Sequence, residues 1–197
     1  MPPHFLAFAL FAVATSATPG PNNVMIAASA AAHGVRATLP HLFGINLGFG
    51  VMLALVGLGL SGPLAASPLL HGTLRWIGGA WMLWIALGIA RSAVLTDAPV
   101  RSPMSFPGAA LFQWVNPKAW VIAVAMTTTY TAPAEPMVPQ VLVLAGVFTL
   151  IGMPSTLLWS LIGAGAARVL RTPGQLRGFN LAMAALLALS VVPLLAG

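Results

Sequence analysis

Apolar residues run through this chain in six long stretches, at about 5–32, 39–60, 74–94, 106–130, 138–166 and 179–195. Each approaches the ~20 mostly apolar residues that a membrane-spanning helix needs. The connections are short, and several carry turn residues (Gly62-Pro63, Pro99, Pro133, Pro136, Pro173-Gly174). The pattern predicts an all-α integral membrane protein of six transmembrane helices, with nothing left over for a soluble domain. Residues 1–197 then form one transmembrane domain made of two three-helix halves, about 1–97 and 98–197. Because three is odd, the second half has inverted topology.

Composition supports this. Of 197 residues, 59% are hydrophobic and only 5% charged, against about a quarter charged in soluble domains. The formal charge of +6 comes from seven arginines and one lysine against Asp97 and Glu135. Nucleic-acid binding needs cations clustered on a soluble face, whereas these arginines are scattered between apolar runs, so no nucleic-acid partner is expected. The absence of cysteine excludes disulfide and thiol–metal chemistry. Met1-Pro2-Pro3-His4 lacks a basic leader, so no cleaved signal peptide is expected.

The segments after stretches one, three and five hold Arg36, Arg91, Arg101, Arg168, Arg171 and Arg177, while the opposite side has Arg75 and Glu135. The positive-inside rule places the arginine-rich loops in the cytoplasm and both termini outside. The short sixth stretch is the weakest element of this topology. Small-residue spacing (Gly44 and Gly48, with Gly78, Gly79, Gly88, Gly163 and Gly165) predicts close helix packing and admits a homo-oligomer.

Two stretches are interrupted near their middles. In the first, Thr18-Pro19-Gly20-Pro21-Asn22-Asn23 removes two N–H donors and excludes carbonyls one turn earlier. In the fourth, Gln113-Trp114-Val115-Asn116-Pro117-Lys118 repeats the pattern beside the only lysine of the chain. An ionisable side chain at this depth costs at least ~2.5–3.5 kcal/mol and usually faces the interior with a function. Proline-interrupted helices at matching places in two halves point to the binding site of a transporter. A half-helix beginning at each break directs free N–H groups and a positive dipole end inward. With Lys118, these suit a carboxylate. The carbonyls freed upstream, together with Asn22, Asn23 and Asn116, suit an ammonium. The predicted substrate site therefore comprises Pro19, Gly20, Pro21, Asn22, Asn23, Asn46, Gln113, Asn116, Pro117 and Lys118. For Asn46 and Gln113, simple interhelical bonding explains the residue equally well.

Remaining polar residues receive simpler readings. Pro154-Ser155-Thr156 and Ser160 predict a kink with hydroxyls bonded back to the helix. Thr127–Thr129 are expected near an exit, the tryptophans at lipid or interface, and His4, His33, His41 and His71 at the surface. No metal site, cofactor site, ATP-binding loop or enzyme signature is present, so transport would be secondary or facilitated.

The residues 18–23, followed by His33-Gly34-Val35-Arg36, Gly44-Ile45-Asn46-Leu47-Gly48 and later Asn116-Pro117-Lys118-Ala119, resemble the LysE/RhtB amino-acid exporter family. The likeness covers essentially the whole chain and leans to the cysteine/O-acetylserine exporter branch. It implies a secondary transporter in the bacterial inner membrane that exports a neutral amino acid or derivative (cysteine, O-acetylserine, homoserine or threonine class) by alternating access, with proton coupling. Many relatives have an acidic residue just after the glycine motif of the second stretch. Here Gly48-Phe49-Gly50 occurs instead, which puts coupling through that acid in doubt. The alternatives are a non-transporting membrane scaffold or accessory subunit, and a channel.

Overall fold

The computed structural model describes residues 5–60, 68–92, 102–132, 134–170 and 172–192. Asp97, Pro99, Arg101, Pro133, Arg171, Gly62-Pro63, His4 and the end of the sixth stretch lie outside the described residues. Among the described residues there are eight α-helices and no strand: α1 (Phe5–Ala17), α2 (Pro21–His33), α3 (Leu39–Leu55), α4 (Pro68–Ser92), α5 (Phe106–Phe112), α6 (Pro117–Tyr130), α7 (Met137–Val169) and α8 (Pro173–Leu189). A 3-10 turn, Arg36–Thr38, leads into α3, and another, Gln113–Val115, follows α5. The last turn of α3 widens into a π turn over Val56–Leu60, where Gly59 takes φ 110°, a conformation glycine adopts readily.

Proline sets many of the starts. It stands first in α2, α4, α6 and α8, where its missing N–H is an orphan in any case and its fixed φ suits the helix. This corrects the expected sixth element. α8 begins at Pro173 rather than near 179, because Thr172 and Gln175 form a capping box ahead of the apolar run. α4 likewise starts before its apolar stretch, at Pro68.

α7 is the spine. It packs along both α1 and α2 and against α3; α3 also lies on α5, and α4 pairs with α8. Glycines make the tight crossings, as expected. A Cβ on Gly48 would sit 2.5 Å from Ala110 Cα, and one on Gly44 2.5 Å from the Phe106 carbonyl oxygen. A Cβ on Gly163 would overlap the Ala27 carbonyl, and one on Gly78 the Val115 carbonyl. Gly165, grouped with these from sequence, faces open space instead.

Besides a small cluster of Ile26, Leu42, Ile45 and Ala109, two larger apolar cores fill the described interior. One, from α1, α3, α6 and α7, includes Phe8, Met52, Met126 and Leu144; the other, from α2, α4, α5 and α8, includes Met25, Met82, Phe112 and Leu187. Outward, α7 exposes Leu142, Leu150, Leu157 and Leu161, with Leu150 70% exposed, and α1 exposes Leu6 and Leu10. A continuous apolar face of this kind suits lipid contact better than water. Two helical segments, Arg36–Gly59 and Met137–Val169, are long and apolar enough to cross a bilayer. At ~1.5 Å per residue, the 33 residues of α7 reach about 50 Å.

His41 corrects the surface reading of the histidines. It is buried, and neither ring nitrogen has a hydrogen-bond partner. The cause is helical register: residues 41, 44, 45 and 48 share one face, and Gly44 and Gly48 turn that face onto α5.

Candidate binding site at two helix breaks

The first break separates α1 from α2 at Thr18–Gly20. Gly20 is extended (φ −174°, ψ 175°) and stands just before Pro21, the first residue of α2. The second lies between α5 and α6. Asn116, at φ −85° and ψ 112°, has the extended backbone required before proline. Its side-chain oxygen accepts from the Lys118 N–H at 3.1 Å, as an N-cap does.

The carbonyls freed at the end of α1 are all partnered, and one of the donors is itself an ammonium, that of Lys118. The Thr18 N–H donates to Ala14 O and the Thr18 hydroxyl to Thr15 O. The Asn23 amide donates to Ser16 O at 2.8 Å and to Thr18 O at 2.9 Å. Trp159 Nε1 donates to Ala17 O at 3.2 Å. Lys118 Nζ, arriving from the other break, donates to Thr18 O at 2.8 Å, to the Thr18 hydroxyl at 2.9 Å and to Pro19 O at 3.4 Å. Backbone groups removed from water must find partners, and here four side chains supply them. The ammonium also sits at the negative end of the α1 dipole.

The N-terminal sides differ from each other. At α6 the Lys118 N–H is capped by Asn116, and the Ala119 and Trp120 N–H groups reach Asn116 O. That end offers no free donor, contrary to expectation. At α2 the Asn22 and Asn23 N–H groups have no acceptor among the described residues, and Gly20 supplies no side-chain cap. Only one of the two half-helices therefore presents open N–H groups.

These features enclose a cavity of about 60 Å³, room for a few water molecules. Of the ten residues expected there, Gly20, Asn22, Asn23, Asn46, Asn116 and Lys118 line it, while Pro19, Pro21, Gln113 and Pro117 do not. Gln113 is fully buried and exchanges hydrogen bonds with the Asn22 side chain, at 2.8 and 3.2 Å. It joins the two breaks rather than facing the cavity. Replacing Gln113 by Leu leaves the Asn22 amide unpartnered. The expected cost is ~1–3 kcal/mol, read as a lower melting temperature of the detergent-solubilised protein. Replacing both Asn22 and Gln113 by Leu should recover part of the loss, because no polar group is then stranded.

Asn46 lies between α3 and α7. Its amide donates to Leu42 O and to the Thr156 hydroxyl, and Gly152 gives its side-chain oxygen room. Thr156 and Gly152 also line the cavity. Thr156 bonds back to Gly152 O as expected, but α7 continues unbroken through Pro154, and Ser160 reaches across to Thr38 at 3.1 Å. Thr156 and Ser160 thus tie helices together, while the buried Ser155 hydroxyl has no partner among the described residues and does not make the expected bond back to its helix. Thr127 and Thr128 bond back to their own helix and do not line the cavity. Apolar walls come from Phe49 and Phe148, whose rings lie 4.5 Å apart.

Sequence reasoning missed Thr15, Ser16 and Thr156 on the cavity wall, and the bonds that two half-buried tryptophans make at the breaks. Trp159 closes the first break, and Trp120 Nε1 donates to Trp114 O at the second, at 2.8 Å. Trp76 and Trp84 are exposed as expected.

Comparison with known proteins agrees with the motifs. A family model described as LysE type translocator matches residues 13–196. The chain is 32% identical over 187 residues to the cysteine/O-acetylserine efflux proteins of Escherichia coli (strain K12) and Shigella sonnei (strain Ss046), covering 94% of this chain and 94% of each relative. No solved structure matches it.

Proposed function

Because this chain belongs to the LysE family of translocators, we propose that it is a secondary exporter carrying a small neutral amino acid, of the cysteine or O-acetylserine class, out of the cytoplasm. It is a transporter and not an enzyme, as the family implies. The observation that carries the proposal is a single cavity between two helix breaks, holding an ammonium, two open backbone N–H groups and several amides. The Asn22 and Asn23 N–H groups and the Lys118 ammonium suit a carboxylate. Thr18 O and Pro19 O, with the side-chain oxygens of Asn23 and Asn46 nearby, suit an α-ammonium. Phe49, Ile45 and Phe148 leave an apolar wall for a short side chain.

Alternating access between two inverted halves fits the packing. Counting α1 with α2 and α5 with α6, the chain makes six crossings. The first packs on the fifth as the second packs on the fourth, and the third meets the sixth. Exchanging the halves maps this pattern onto itself, as a pseudo-two-fold axis in the membrane plane requires. Exposed Arg36, Arg91, Arg168 and Arg177 lie at or near helix ends that this topology puts on one side, which makes that side cytoplasmic. The setting is a bacterial inner membrane, and the driving force is the proton gradient.

The test is overexpression with a panel of cysteine, O-acetylserine, homoserine and threonine, measuring release to the medium and tolerance to toxic analogues. Saturable release that collapses with a protonophore is the expected result. Unchanged extracellular levels across the panel would refute the proposal.

A further inference from the structure

The group that completes the carbonyl end of α1 is itself a primary ammonium. Lys118 Nζ is held by three oxygens, Thr18 O, Thr18 Oγ1 and Pro19 O, the acceptor set that an α-ammonium would seek. Thr18 and Pro19 are exposed and Lys118 is half-buried, so these acceptors are within reach of a small solute. Lys118 also crosses directly over Gly20: a Cβ there would lie 2.8 Å from Lys118 Cδ and 3.0 Å from Nζ. The side chain thus lies along the cavity wall, and a ligand of amino-acid size needs it to move.

Resting on the amino-acid reading of this site, we infer that Lys118 is a built-in substitute for the substrate ammonium, and that loading is an exchange of one ammonium for another at Thr18 and Pro19. The incoming ammonium takes the α1 carbonyls. The displaced lysine swings toward the carboxylate held at the start of α2. The α1 carbonyls keep a charged donor at both stages, so the exchange leaves none of them unpaired. An amine without a carboxylate displaces Lys118 but gives it no anion to pair with. Lys118 therefore acts as the specificity residue for zwitterions over simple amines.

The probes are L-cysteine and cysteamine, which differ only by the carboxylate, titrated against the full-length protein in lipid nanodiscs. Wild type is expected to bind cysteine at least 10-fold more tightly than cysteamine. Lys118→Met, which opens the acceptors and removes the competing charge, should bind cysteamine at least 10-fold more tightly than wild type does and lose the preference for cysteine. Gly20→Ala keeps the lysine but pushes its flexible end off Thr18, and should move cysteamine affinity in the same direction. Gly20 is extended, so alanine introduces no backbone strain there.

If folded Lys118→Met and Gly20→Ala both bind cysteamine no better than wild type, the exchange is wrong and Lys118 is only a helix cap. Wild type binding cysteine and cysteamine equally would overturn it as well. A wild-type protein that binds and exports no member of the amino-acid panel overturns the underlying functional reading instead.

Discussion

Lys118→Ala is expected to reduce export of the best substrate by ~30- to ~5,000-fold at subsaturating concentration, while the protein still reaches the membrane in normal amounts. Truncating one partner of a buried, hydrogen-bonded charge pair costs roughly 2–5 kcal/mol, and each ~1.4 kcal/mol is tenfold. Alanine at this position removes the partner proposed for the substrate carboxylate. It also uncovers Pro19 O, which has no other donor among the described residues, and leaves Thr18 O with Asn23 alone. Asn116→Ala should follow the same direction. That side chain caps the Lys118 N–H at the start of α6 and faces the cavity, so losing it unsettles the base from which the lysine extends. Membrane fractionation separates loss of transport from loss of protein. Either variant exporting at the wild-type rate would remove these residues from the site.

Gly163→Ala and Gly165→Ala should move stability in opposite directions, although they lie two residues apart on α7. A methyl group on Gly163 runs into the Ala27 carbonyl of α2. Its neighbour is backbone and cannot rotate aside, so α2 and α7 must separate along their whole contact. Overpacking of this kind costs ~1–3 kcal/mol, which for a chain of this size lowers the melting temperature by roughly 2–12 °C. Gly165 has open space where its Cβ would go. There alanine gains the ~0.5–1 kcal/mol that glycine forfeits in a helix, and the melting temperature should hold or rise. Equal shifts in both variants would show that helix propensity, rather than the crossing, governs this face.

The two breaks were legible because proline acts locally: it removes its own donor and excludes a carbonyl one turn away whatever surrounds it. Eight helices account for the six expected stretches once the two breaks are counted. The partners of the freed groups were not legible. Ala17 O is met by Trp159 and Thr18 O by Lys118, 142 and 100 residues away, and no spacing rule links such positions. The same gap explains His41 and Gln113. A helix face becomes buried only when another helix covers it: α5 covers His41, and Asn22 of α2 meets Gln113. The early start of α8 was missed for a different reason. Thr172, Gln175 and Arg177 are polar, so apolarity passed over the capped first turns.

Synthesis runs from the N-terminus, and this gives the sealing of the first break a place in time. α1 and α2 emerge while the chain still lacks the lysine and the indole that cover Pro19 O and Ala17 O. Until α6 and α7 arrive, only the internal bonds of Thr18 and the amide of Asn23 protect that seam. A nascent chain stopped before Trp159 would still carry Ala17 O bare in an apolar setting, at a cost of several kcal/mol. Maturation of the first segment is thus completed by the last third of the polypeptide, and a prematurely ended product would mark itself as unfinished.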